Sequence, residues 1–362
     1  MSKKYIFLLL ILAILTMLSG AYVVGGTQAY SRYQQSNLAN QEHCGGEAPV
    51  HICVRTPPAI FSAFYPSYLA SQSPLFSIDY SSSSPRTLLI SLSIARFSQT
   101  ETQTVGAVAT TQSSSFTPPL LDQILQKLTT DETTSLHVEV TDTQRHPYYL
   151  DDIPIILHSR WLMQWVATNR LKIAAWVTPN DTSVTQLLTR AARHLPAQQP
   201  PVPQGMIGYK TATPQQVIDQ VDAIYEALRL DYDIHYIQAS VPYSSSEADS
   251  ASTQEIKLPG EVLQQRSGMC VELTTLMASA VERIGLHASI VIIPGHAFLG
   301  VAVTEDNRHI EYWDAVDVNN QVAADSANVH ADNVYKQNAQ QHTIVDTILL
   351  SEARAAHVGP ML

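Results

Sequence analysis

The rhythm of apolar positions changes several times along the chain, and those changes divide it. An almost unbroken apolar run from Ile6 to Leu18, continuing with breaks to Val24, follows Lys3 and Lys4. Its length suits the core of a signal peptide, and Ser19-Gly20-Ala21 supplies small residues for cleavage. Extended through Val24, it is also just long enough to cross a bilayer as an uncleaved anchor. Residues 27–85, rich in Ser, Tyr, Gln and Pro with SSSSP at 81–85, show little sustained period and read as a stalk or lead-in. From Thr87, LLISLSIARF, SLHVEVTD and IPIILHS carry apolar residues in partial alternation, the pattern of half-buried strands. Between them, LLDQILQKL reads as a short helix or a crossover. Residues 86–177 are therefore expected to form a small β-rich, sandwich-like domain.

The period then turns helical. VTQLLTRAARHL at 184–195 has helical spacing, and PAQQPPVPQG at 196–205 is an extended connection, so 178–204 reads as a helix and a Pro-rich linker. In TPQQVIDQVDAIYEALRL, Val217, Val221, Ile224 and Leu228 form one apolar stripe, with Thr213-Pro214 as its start. SSSEADSAS at 244–252 reads as a polar loop. Leu273, Leu276, Met277, Ala280, Val281 and Ile284 then predict an amphipathic helix starting at or near Cys270 and stopped by Gly285, with Gly268 allowing a sharp turn into it. SIVII, AFLGVAV and HIEYWDAVDV follow as strands, the first two separated by Pro294-Gly295.

Composition narrows the function. Apolar residues are 45% of the 362, enough for a sizeable core, and the length suits roughly two domains. The net charge of -11 and the lack of a Lys/Arg cluster argue against nucleic acid as a partner. Cys44 and Cys53 lie close together, and the oxidising compartment implied by an export signal lets them pair as a disulfide. Only His43 and His51 stand nearby, which makes a poor zinc site, and the 12 histidines besides His296 show no helical ligand spacing. Neither a metal nor a cofactor is implied, and no cluster of carboxylates suggests calcium.

Cys270 is left as the odd thiol, and its position matters. Unpaired N–H groups and the dipole at a helix N-terminus favour a thiolate. His296 opens the strand after Pro294-Gly295, and Asp314 follows Tyr312-Trp313. A helix-borne thiol, a strand-borne imidazole and a strand-borne carboxylate, in that order, form a Cys-His-Asp layout. In such a triad the thiolate attacks a carbonyl, the imidazole takes and returns the proton, and the carboxylate fixes the imidazole.

Residues 258–317 resemble the core of the transglutaminase-like superfamily. Its R-x-G-x-C motif stands here as Arg266-Ser267-Gly268-Met269-Cys270, its His in Gly295-His296-Ala297-Phe298, and its Asp in Trp313-Asp314-Ala315-Val316. Farther upstream, AAWVTPNDTSVTQLLTRAARHL, GYK, VIDQVDAIYEAL and IKLPGEVL resemble a bacterial subgroup in which a β domain precedes the thiol core. The resemblance implies an α+β, papain-like domain over 205–362, with the Cys helix packed on an antiparallel sheet that carries His and Asp. It also implies amide chemistry on a protein or peptide, with hydrolysis favoured over transfer to an amine. Asp314 is followed by Ala-Val where the family usually has Pro-Thr or Ala-Thr, so Asp317 is the runner-up for the third member.

An oxyanion needs two donors. The Cys270 backbone N–H is one, and Gln254, Tyr236 and Tyr243 are the side-chain candidates. Arg266 reads as support for the loop before Cys270 rather than as a substrate-carboxylate ligand. Glu272 reads as a surface charge or an ion-pair partner, and Trp161 and Trp165 as packing. Two function classes remain: an exported cysteine enzyme, membrane-anchored through its N-terminal helix or secreted to the periplasm, and a non-catalytic binding or scaffold protein at the cell envelope. A redox role is disfavoured because no resolving thiol lies near Cys270.

Overall fold

A computed structural model describes residues 40–71, 74–197, 205–239 and 252–361. The N-terminal signal or anchor, the middle of the Pro-rich connection and Tyr243 lie outside these residues. No described helix is long and apolar enough to cross a membrane.

The N-terminal half contains β1 (Gln41–Gly45), β2 (Val50–Thr56), β3 (Ala59–Phe61), α1 (Tyr65–Ser71), β4 (Phe76–Ser82), β5 (Arg86–Ile94), β6 (Glu101–Ala107), β7 (Gln112–Phe116), α2 (Ile124–Lys127), β8 (Glu132–Thr141) and β9 (Pro147–His158). They build two sheets, β1-β2-β4-β7 and β3-β9-β8-β5-β6. Alternate side chains from both sheets, among them Ile52, Val54, Ile78, Leu88, Ile90, Val138 and Ile155, fill one shared core. The lead-in expected at 27–85 is thus corrected from residue 41 onward, where half of the sandwich begins. Val50, Ile52 and Val54 are buried while their neighbours are not, so the two-residue period is present. A polar outer face, with His51 and Arg55 on β2 and Ser77, Asp79 and Ser81 on β4, hides it.

The second core starts earlier than residue 205. β10 (Leu162–Trp165), a short 3-10 segment (Ala167–Trp176) and α3 (Thr182–Ala191) already belong to it, because Met163, Trp165, Trp176, Val184 and Leu187 pack with the Cys270 helix. What read as a linker helix is part of that core. Next come α4 (Pro214–Glu226), β11 (His235–Tyr236), β12 (Ser252–Glu255), α5 (Pro259–Gln265), β13 (Ser267–Gly268), α6 (Cys270–Arg283), β14 (Ala288–Ile293), β15 (His296–Ala302), β16 (Ile310–Trp313), α7 (Ala324–Gln341), β17 (Asp346–Leu349) and α8 (Leu350–Ala355). Thr213 and Gln216 form a reciprocal cap at the start of α4, with Pro214 in the first turn.

The antiparallel sheet β16-β15-β14-β17 is covered on both faces. Ile290 and Ile292 of β14 face the α6 core. Val291 and Ile293 alternate to the other face, with Phe298, Tyr312 and Ala331. The expected amphipathic stripe on α6 is corrected, since every residue from Cys270 to Val281 is buried. Polar residues are tolerated there because their hydroxyls bond back to the helix itself: Thr274 donates to the Cys270 carbonyl at 2.8 Å and Ser279 to Thr275 at 2.7 Å.

Candidate active site

The approach to α6 is fixed by backbone geometry. Arg266 ends α5 in the left-handed region at φ 52, and its carbonyl accepts from His235 N–H at 2.9 Å. The sharp reversal therefore lies at Arg266, and Gly268 has another role. A Cβ on Gly268 would sit 2.9 Å from Leu273 Cδ2, so glycine is needed there for close approach. The Arg266 side chain itself is exposed, and its contribution to the loop is made by its backbone.

Glu272 is neither a surface charge nor spare. It is 1% exposed and accepts from Lys257 N–H at 2.8 Å and Met269 N–H at 2.9 Å, while Lys257 Nζ stands 3.5 Å away. It closes the N-terminus of α6 and ties it to the chain leaving β12. The ion-pair expectation holds in part, since Lys257 is the partner. Glu261 repeats the device on α5, accepting from Leu258 N–H at 2.8 Å. The signal was a Glu three residues into each helix without the usual Ser or Thr ahead of it.

Cys270 is 1% exposed, and its Sγ lies 3.8 Å from the Ala239 carbonyl oxygen. Pro294-Gly295 closes a two-residue hairpin, with Gly295 at φ 72, and places His296 at the start of β15. Asp314 follows β16, and its Oδ2 is 2.7 Å from His296 Nε2. With Nε2 on the carboxylate, Nδ1 is the nitrogen left for the thiol, and the Cys270 side chain is close enough to strengthen the imidazole's hold on its proton. Asp317 pairs instead with His330, at 2.7 Å, so Asp314 is the carboxylate that meets the imidazole. Trp313 anchors the end of β16, its indole N–H donating to Asp222 at 2.8 Å. Burial raises the Asp222 carboxyl to about 6, against the lowering effect of that bond.

Burial is the strongest single influence on His296 and disfavours its charge, but hydrogen bonds and charges from Asp314 and Cys270 outweigh it and raise the imidazole to about 10. The folded protein therefore holds this proton more tightly than the unfolded chain, whose His titrates near about 6.5. The resulting stability is full below about pH 6.5 and is lost as pH rises towards about 10. Denaturant midpoints measured from pH 6 to pH 10 should fall for the native protein, and His296→Ala should flatten that fall.

The side-chain oxyanion candidates separate. β12 pairs with β10, so Trp165 Nε1 donates to Gln254 Oε1 at 3.0 Å. That bond sets the amide orientation and points Nε2 to Met269, 3.7 Å from its sulfur and one residue before the thiol. Tyr236 is also at the site, within the electrostatic reach of Cys270 and Asp314; its hydroxyl oxygen accepts from the Ala239 N–H, which leaves its O–H as a further donor. Its ionisation is shifted upward, by burial first and then by the Cys270 charge.

Residues 184–355 match the transglutaminase-like superfamily. The chain carries a transglutaminase-like domain. No curated protein sequence matches the chain. The transglutaminase-like match begins inside α3, which agrees with the packing of that helix against α6. Far from the thiol, Cys44 and Cys53 stand opposite each other on β1 and β2 and form a disulfide. His51 is the neighbour that would complete a group of potential metal ligands, but both sulfurs are spent in the bond.

Proposed function

We propose that Cys270, His296 and Asp314 are the catalytic triad of an exported thiol enzyme that cleaves or transfers amide bonds in proteins or peptides. The observation that carries this reading is His296, whose Nε2 meets Asp314 at 2.7 Å while the Cys270 side chain is close enough to raise the imidazole's hold on its proton. The Cys270 thiolate adds to the amide carbonyl carbon, and the π electrons move to oxygen. The Cys270 N–H has no backbone acceptor among the described residues and serves as one oxyanion donor. Gln254 Nε2 serves as the other. When the intermediate collapses, the C–N bond breaks and the departing amine takes the His296 proton, leaving a thioester. Water or a second amine then attacks, His296 takes its proton, and the thiolate leaves. Water gives hydrolysis, which the family resemblance favours; an amine gives transamidation.

The apolar N-terminal run and the disulfide on β1 and β2 support function in an oxidising compartment outside the cytoplasm. A second reading, a binding module of the same fold, draws on the near-complete burial of Cys270. An activated aryl ester separates the two. The enzyme releases one equivalent of phenolate in a burst and gains the acyl mass on Cys270, and Cys270→Ser abolishes both. Gln254→Ala should slow acylation by about 100-fold, the loss typical of one oxyanion donor. No burst and no acylated Cys270 would favour the binding module.

A further inference from the structure

A cavity of about 610 Å³ lies beside the thiol, walled by Trp161, Ile237, Ala239, Gln254, Ile256 and Met269. It meets the site at three points: Ala239, whose carbonyl faces Sγ; Met269, which precedes Cys270; and Gln254. Cys270, His296 and Asp314 are all outside its lining, and the lining residues nearest the site, Ala239 and Met269, are those that flank the thiol rather than the imidazole. That asymmetry assigns a direction to the substrate. The leaving amine must lie against the imidazole that protonates it, so the acyl part extends the opposite way, into the cavity.

The lining also sets a chemistry. Ile237 is 46% exposed at the wall of this cavity, and its N–H is held by the Gly268 carbonyl at 2.9 Å. The Trp161 indole is fixed by Glu261, to which its N–H donates at 3.0 and 2.9 Å. The charged groups at the border do not call for a charged ligand. Lys257 Nζ is met by Glu272 at 3.5 Å and by the Ser267 carbonyl at 2.8 Å. Glu255 is exposed at the rim and opposes an acidic side chain.

We propose that this cavity is a specificity pocket for an apolar side chain on the acyl side of the scissile amide, with Ile237 and Trp161 as the residues that select it. The inference rests on the acyl-transfer reading above. Trp161 enters from the β9–β10 connection, so the N-terminal half of the chain contributes to substrate choice.

The test uses N-acyl aminoacyl chloromethyl ketones carrying Leu, Phe, Ser or Asp side chains, with the second-order rate of Cys270 alkylation as the readout. The Leu and Phe reagents should react at least about tenfold faster than the Ser and Asp ones, the discrimination an apolar pocket gives. Ile237→Asp should bring the Leu-to-Asp rate ratio down towards one, and Ile237→Thr should give an intermediate ratio. A ratio compares two reagents on one protein, so it does not depend on the absolute reactivity of the thiol. Equal rates across the panel in the native protein, or an unchanged ratio in both variants, would overturn the pocket. The catalytic reading fails differently: an apolar preference that persists while His296→Ala leaves every rate unchanged would keep the pocket as a binding site and remove the triad.

Discussion

Glu272→Ala should lower the folding stability by about 3 kcal/mol, far more than removal of an ordinary glutamate. The side chain is 1% exposed and accepts from two backbone N–H groups, at Lys257 and Met269, with Lys257 Nζ as its counter-charge. Truncation leaves both N–H groups inside the protein without an acceptor and the ammonium without its closest carboxylate. Each orphaned donor costs about 1–3 kcal/mol, so the two together outweigh the modest gain from freeing a side chain. Urea unfolding of Glu272→Ala, beside Glu42→Ala as a control, measures the effect. Glu42 meets Arg55 at an exposed position, and its loss should stay within about 1 kcal/mol. If the two variants lose the same small amount, Glu272 is not the brace of the thiol helix.

Much of the site is legible in the sequence because the signals are local. Cys270 opens a run of apolar residues at helical spacing, and Pro294-Gly295 between two β-branched runs places His296 on a hairpin. The choice between Asp314 and Asp317 is not local. Three residues apart on one short turn, they differ only in which histidine each reaches, His296 or His330, and neither spacing nor composition encodes that. The role of Gln254 depends on Trp165, 89 residues away, which reaches it only because β10 and β12 pair. Residues 41–82 were illegible for a different reason. Their inward positions alternate as strands require, but outward His51, Arg55, Ser77, Asp79 and Ser81 give the stretch the composition of a linker. Composition outweighed period there, and period was the better guide. In α6 the reverse holds: the apolar period predicts one buried stripe, and every residue from Cys270 to Val281 is buried.

The central claim is that His296 activates Cys270, and the alkylation rate of Cys270 against pH tests it most directly. A thiolate paired with an imidazolium keeps reacting with iodoacetamide well below about pH 8.5, where an ordinary thiol becomes protonated. The native protein should therefore label at a nearly constant rate down to about pH 6, and His296→Ala should be slower there by about 100-fold. Removing the imidazole also opens space beside a buried sulfur, which by itself would speed labelling, so a slower variant cannot be an effect of access. The opposite result is equally clear. If both proteins label with the profile of an ordinary thiol, or neither labels, Cys270 is not activated by His296 and the transglutaminase-like domain is a binding module.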